Sequence, residues 1–155
     1  MGCRGIGVGH RKSLLLDESR RRRVRALRQD RMKVFIVEDV PQTREELVEL
    51  FAAVAGFDVV GQAGTVREAL ASIEAAAPEA VILDISLPDG SGVEVLKYVR
   101  QRGWALRVVV LTGDPYEALR VKCKQLGAVA VLHKIDGLAQ AREVLLAGEP
   151  GSETY

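Results

Sequence analysis

The sequence predicts an α/β fold, a doubly wound sheet of five parallel strands with helices on both faces. Two observations carry this. From Met32 to about residue 147, short β-branched runs alternate five times with stretches of helical period. The first, third and fourth of those runs are nearly continuous in apolar residues, as strands covered on both faces must be.

The first strand reads as Lys33-Val34-Phe35-Ile36-Val37, and the helix after it carries Leu47, Leu50, Phe51 and Val54 on one face. Gly56 marks the stop, since glycine accepts the left-handed geometry of a helix end. Asp58-Val59-Val60-Gly61 is the second strand. Thr65 with Glu68 then forms a capping-box pattern ahead of Val66, Ala69, Leu70 and Ile73. The third strand is Ala80-Val81-Ile82-Leu83, followed by a second capping-box pattern, Ser91 with Glu94, and a stop at Gly103. Arg107-Val108-Val109-Val110-Leu111 is the fourth strand, and Asp114-Pro115 after it reads as an N-cap with proline at the first helical position. Gly127 ends that helix, Val129-Ala130-Val131-Leu132 is the fifth strand, and a last helix is expected over about 136–147. Right-handed crossovers leave few topologies for five such units, and the flavodoxin-like order 2-1-3-4-5 is favoured.

The 155 residues hold one domain of this kind and flanking segments. The expected division is a basic, disordered extension over 1–31, the domain over 32–148 and a frayed tail over 149–155. Residues 1–31 carry a net charge of +7, nine of the basic groups being arginine, while 32–155 carry −6. Clustered arginines suit a phosphate backbone, but no aromatic is interleaved for base stacking, so a nucleic-acid partner is disfavoured. Two cysteines, Cys3 and Cys123, make neither a disulfide framework nor a zinc spacing and suit a reducing cytoplasm. No apolar run reaches membrane-spanning length, so no membrane association is expected.

In open parallel sheets ligands bind at the carboxyl ends of the strands. There this sequence places Glu38-Asp39, Asp84, Thr112 and Lys134. Each residue alone has a structural explanation, such as a helix cap for an aspartate or a solvated side chain for a lysine. Five compatible groups at four strand ends are harder to assign to chance. Two carboxylates about 4 Å apart repel by on the order of 4 kcal/mol at an effective dielectric near 20. Such a cluster calls for a cation, and all-oxygen ligation suits Mg²⁺. A carboxylate can then act as nucleophile toward a phosphoryl group whose oxygens a hydroxyl and an ammonium hold.

These residues resemble the receiver domain of two-component response regulators, of the stand-alone, chemotaxis-regulator-like type. The resemblance covers residues 33 to about 147. It rests on Val37-Glu38-Asp39, on the segment Val81 to Gly92 (Val-Ile-Leu-Asp-Ile-Ser-Leu-Pro-Asp-Gly-Ser-Gly), on Leu111-Thr112-Gly113, and on Leu126-Gly127-Ala128 leading to Lys134. It implies that Asp84 accepts a phosphoryl group from a histidine kinase or a histidine phosphotransfer protein. It further implies that Mg²⁺ is held by Glu38, Asp39, Asp84 and the Ser86 backbone carbonyl, and that Thr112 and Lys134 coordinate the phosphoryl oxygens. Gly113 fits a position that stays small to admit the donor, and Ser86 and Asp114 fit positions that tune dephosphorylation. The expected output is altered binding to a downstream protein, by a monomer or a weak phosphorylation-dependent dimer, with no turnover of an external substrate.

Two positions depart from the family pattern. Ile135 follows Lys134 where proline is usual, so a trans peptide and an altered loop are expected, the cis form before a non-proline costing ~3 kcal/mol. Val131 stands where a switch Tyr or Phe is common, so aromatic rotamer coupling to Thr112 is absent. Both favour a second reading, a phosphorylation-independent interaction module, against which the complete acidic pocket argues. An aspartate-nucleophile phosphatase would want an acid where Ser86 stands, and Glu38-Asp39 would repel a flavin phosphate. Cys123 is expected on a buried helix face, Trp104 packed on the end of the third helix, and His133 on the strand face opposite Lys134.

Overall fold

The structure is a computed structural model that describes residues 17–26 and 31–147. The chain divides into two compact units, Met1–Arg31 and Met32–Tyr155. The Gly-rich opening and the tail over 149–155 lie outside the described residues.

In the first unit, residues 17–26 are helical and every one is exposed. This stretch lies within the extension over 1–31 that the sequence suggests. Arginine is a good helix former, and Arg21 pairs with Asp17 one turn earlier at 2.8 Å. The absence of a buried face agrees with the lack of any core-forming pattern there.

In the second unit the strands are β1 (Met32–Val37), β2 (Phe57–Ala63), β3 (Ala80–Asp84), β4 (Arg107–Thr112) and β5 (Ala130–His133). They form one parallel sheet in the order β2-β1-β3-β4-β5, the order expected. The helices are α1 (Pro41–Ala53), α2 (Val66–Ala76), α3 (Gly92–Gln101), α4 (Glu117–Gln125) and α5 (Gly137–Leu146). Alternate residues of each strand enter opposite layers. Phe35, Val37, Val81, Leu83, Val108, Val110 and Val131 share a core with Ile73, Leu96, Val99, Leu119 and Cys123 of α2, α3 and α4. Val34, Ile36, Ile82, Val109 and Leu111 share the other with Leu47 and Phe51 of α1 and Ala141 and Leu145 of α5. Burial on both faces is the reason these strands could be apolar at every position.

Helix ends follow local chemistry. Gly103 and Gly127 take positive φ directly after α3 and α4 as expected, and Gly56 does so in the turn after α1. Ala77 ends α2 in the same left-handed conformation with no glycine to mark it. The fourth helix starts later than the sequence implied: Tyr116, not Asp114, is the N-cap, and it makes no side-chain cap. The Asp114 amide instead donates to the Thr112 hydroxyl at 3.3 Å, and its carbonyl accepts from the Tyr116 amide. The turn these bonds make pushes the helix start beyond Pro115.

A short hairpin, residues 86–91, follows β3 and was not foreseen. At its turn Asp89 reaches the N-terminus of α2, accepting from the Val66 amide at 2.8 Å and the Arg67 amide at 3.0 Å. Thr65 accepts from the Glu68 amide at 3.0 Å, and Glu68 from the Gly64 amide at 2.8 Å. The capping box is thus realised with its return bond one residue early, and Asp89 serves the amides it leaves open. The Arg67 amide first, and the Val66 amide next, hold the Asp89 carboxyl below its usual range. A lowered carboxylate stabilises the fold above the unfolded value, and that contribution is lost as pH falls through the folded one. Asp89→Asn, an isostere of the protonated acid, is therefore expected to melt a few degrees below wild type at pH 7. The gap should close between about pH 4 and pH 2; thermal midpoints across that range check it, and a gap independent of pH would contradict the charge argument.

Candidate functional site

Parallel strands bring their carboxyl ends to one edge, and the polar residues collect there. Glu38 and Asp39 follow β1, while Asp84 and Thr112 end β3 and β4. Lys134 follows β5, its amide donating to the Thr112 carbonyl at 2.9 Å. Glu38, Asp84 and Thr112 are buried, at 1%, 2% and 3% exposure, in a core that is otherwise apolar. Carboxylate oxygens of Glu38, Asp39 and Asp84 lie within 4.8 Å of one another.

Lys134 stands inside the cluster. Its Nζ is 2.7 Å from Glu38 Oε2 and 3.0 Å from Asp84 Oδ2. The remaining oxygens of these two acids meet backbone donors: the Val40 amide reaches Glu38 Oε1 at 3.1 Å, and the Ser86 amide reaches Asp84 Oδ1 at 3.1 Å. Burial pushes the Glu38 carboxyl above its usual range, and the Lys134 and Val40 donors only partly oppose it. Burial alone would lower Lys134, but Glu38 and Asp84 outweigh it and hold the ammonium above its usual value.

Three further residues stand on the elements that flank the site. Arg44, one turn into α1, donates from Nη1 to the Glu38 carbonyl at 2.8 Å and from Nε to Gln62 at 3.2 Å, fixing the loop that carries the acidic pair. Gly92 opens α3 against the end of β3, where a Cβ would lie 2.2 Å from the Asp84 carbonyl oxygen. Its amide donates to the Ile85 carbonyl at 2.8 Å. Arg120 of α4 donates to the Pro115 and Val131 carbonyls, both at 2.8 Å. Of the three, Gly92 lay inside the motif that carries the resemblance. Neither arginine had a signal, since each binds carbonyls brought close only by the fold.

The other singled-out residues sit as follows. Gly113 is exposed, and a Cβ there would meet nothing within 4 Å. Val131 is buried on β5 and Ile135 is 85% exposed. His133 accepts from the Ile135 amide and lies 3.5 Å from Asp136. Cys123 is fully buried, and burial pushes its thiol up, away from the reactive thiolate. Trp104 packs edge-on against Tyr98 of α3 at 5.6 Å, with the Arg102 guanidinium over both rings. Among the described residues no helix is long and apolar enough to cross a membrane.

Hard oxygen donors that crowd like charge can hold a small divalent cation that keeps some of its water. Saturating Mg²⁺ is therefore expected to raise the thermal midpoint of the wild type, a hundredfold excess over the dissociation constant being worth about 2.7 kcal/mol. Asp39→Asn removes a charge that Lys134 does not neutralise and should lose most of the rise. An equal rise in the variant, measured by scanning fluorimetry, would count against a site made by these three acids.

Known proteins resemble this chain in sequence and fold. The family model described as "Response regulator receiver domain" matches residues 34–145. The DNA-binding transcriptional activator DevR/DosR of Mycobacterium tuberculosis is 39% identical over 114 residues, which are 73% of this chain and 52% of that protein. The chain thus spans about half the length of that curated relative. Among solved structures, the signal receiver domain of NarL from Mycobacterium tuberculosis superposes with a TM-score of 0.72 at 26% identity, covering 79% of this chain and 98% of that one. A two-component response regulator of the LuxR family from Aurantimonas sp. SI85-9A1 gives 0.70 at 30% identity, covering 77% and 87%.

Proposed function

Because the chain belongs to the response regulator receiver domain family, we propose that it is a phospho-accepting module of a two-component phosphorelay, with Asp84 as the acceptor. The observation that carries this is the buried cluster in which Lys134 bridges Glu38 and Asp84 beside Asp39. A lone strand-end aspartate would need none of these neighbours.

The donor set fits Mg²⁺: every candidate ligand is oxygen, and three carboxylates face one another with one ammonium between them. Glu38, Asp39, Asp84 and the Ser86 carbonyl would hold the ion, which when bound supplies the charge that lets an anionic phosphoryl group approach. The Ser86 amide and Lys134 orient the two oxygens of Asp84. A carboxylate oxygen of Asp84 attacks the phosphorus of a phosphohistidine. The new P–O bond forms as the P–N bond breaks, and its electron pair returns to the imidazole. Lys134 and the Thr112 hydroxyl receive the transferred oxygens, and the open space beside Gly113 leaves the donor's approach clear. The donor is a histidine kinase or a histidine phosphotransfer protein. The result is a changed affinity for a downstream protein, without turnover of an external substrate, in the cytoplasm. DNA binding is named for the longer relative and forms no part of this reading of residues 32–148. The alternative, a scaffold that binds partners without phosphorylation, gives no reason for the buried charges.

Two experiments test the reading. Incubation with acetyl phosphate and Mg²⁺ should add one phosphoryl group to the wild type by intact mass and none to Asp84→Asn, and a chelator should abolish labelling. Labelling of Asp84→Asn at the wild-type rate would remove Asp84 as acceptor. The proposed division into residues 1–31, 32–148 and 149–155 predicts that a chain beginning at Met32 melts cooperatively and accepts phosphate like the full chain. Loss of the cooperative transition would make the first 31 residues structural.

A further inference from the structure

The guanidinium of Arg120 spans two chain segments. Its Nε donates to the Pro115 carbonyl and its Nη1 to the Val131 carbonyl, each at 2.8 Å. Pro115 lies three residues after Thr112, and Val131 three residues before Lys134. One planar, rigid fork therefore joins the segment that carries the site's hydroxyl to the segment that carries its ammonium. We propose that Arg120 is a positioning residue that couples the state of the phosphoryl site to α4 and β5. This rests on the phospho-acceptor reading above.

Backbone bonds already join these segments at their ends, the Lys134 amide to the Thr112 carbonyl and the Tyr116 amide to the Asp114 carbonyl. α4 has no side-chain cap at Tyr116, and Arg120 adds the side-chain tie from its first turn back to Pro115 in the preceding loop and across to Val131. Within that loop, Thr112 holds the Asp114 amide at 3.3 Å, a long bond that yields easily. Gly113 between them meets no neighbour that would resist a backbone change. When the Thr112 hydroxyl turns toward a phosphoryl oxygen, the Asp114 amide is released and the loop moves. The displacement then reaches the Pro115 carbonyl, and Arg120 passes it to β5, the edge strand of the sheet. Val131 itself is a buried valine, with neither a polar group nor a long side chain to carry such a signal.

The test compares full-length wild type with Arg120→Met, which keeps the stem and loses both donors, and Arg120→Lys, which keeps the charge but cannot span two carbonyls. All three should accept phosphate from acetyl phosphate at rates within about threefold, since Arg120 touches none of the reacting atoms. In the wild type, beryllofluoride with Mg²⁺ should shift backbone amides over 113–119 and 130–134. In both variants the shifts over 116–119 and 130–132 should fall to roughly half or less, while those at 112–114 persist. Without any ligand, amide exchange over 120–123, the first amides of α4 with helical acceptors, should be about tenfold faster in both variants. Undiminished shifts, or exchange equal to wild type, would overturn the coupling role. A wild type that takes up neither phosphate nor beryllofluoride would instead refute the phospho-acceptor reading, and the ligand-free exchange then decides separately whether Arg120 joins the two segments.

Discussion

Carboxylates taken out of water must be compensated, and the edge where β1, β3, β4 and β5 end is organised around that requirement. Glu38 and Asp84 are as buried as the valines beneath them, yet each keeps a charge partner and a backbone donor. Removing one member of such a pair leaves the other uncompensated, which is far costlier than replacing both. The parallel sheet meets the need because its strands finish side by side. In the order 2-1-3-4-5, Lys134 from one edge strand reaches acids delivered by β1 and β3. The strands below are correspondingly apolar on both faces, so that charge is confined to their ends.

Much of this was legible in the residues. Strands covered on both faces lose their polar positions, and that made Val34–Val37, Ala80–Leu83 and Val108–Leu111 readable without a partner in view. The strand-end residues were legible for the same reason, being the first polar groups after each apolar run. Contacts that join distant segments were hidden. The reach of Asp89 to the amides of Val66 and Arg67 crosses 23 and 22 residues of chain. Arg44 and Arg120 bind backbone carbonyls, which have no signature in side-chain chemistry. The start of α4 was misplaced because Asp114-Pro115 is a sound local signal, overridden by a hydroxyl two residues earlier. Lys134 was read as holding phosphoryl oxygens, and its ammonium also sits between two of the acids.

The cysteine and the tryptophan show how a striking residue type can have an ordinary task. Cys123 fills the layer beneath α4, where burial pushes its thiol up, away from the thiolate form. Trp104, with Tyr98 and Arg102, builds a cation–π stack at the end of α3. Neither bears on the acidic edge, whose groups lie at the ends of β1, β3, β4 and β5.

The two sides of that edge differ in stiffness. On the side of β3, the hairpin is clamped by both oxygens of Asp89 on α2, and α3 is seated against Asp84 with no room for even a methyl group at Gly92. On the side of β4, the chain between Thr112 and α4 has a glycine in open space, a long hydroxyl bond, one backbone bond from Tyr116 to Asp114 and Arg120 as its side-chain tether. A load applied at the strand ends is therefore divided unequally, as between a welded joint and a hinge. On the proposed function, the Asp84 carboxylate stays at rest relative to the sheet while the yielding side travels. The fold would then reconcile holding a nucleophile still with letting a surface move by assigning the two demands to different strands.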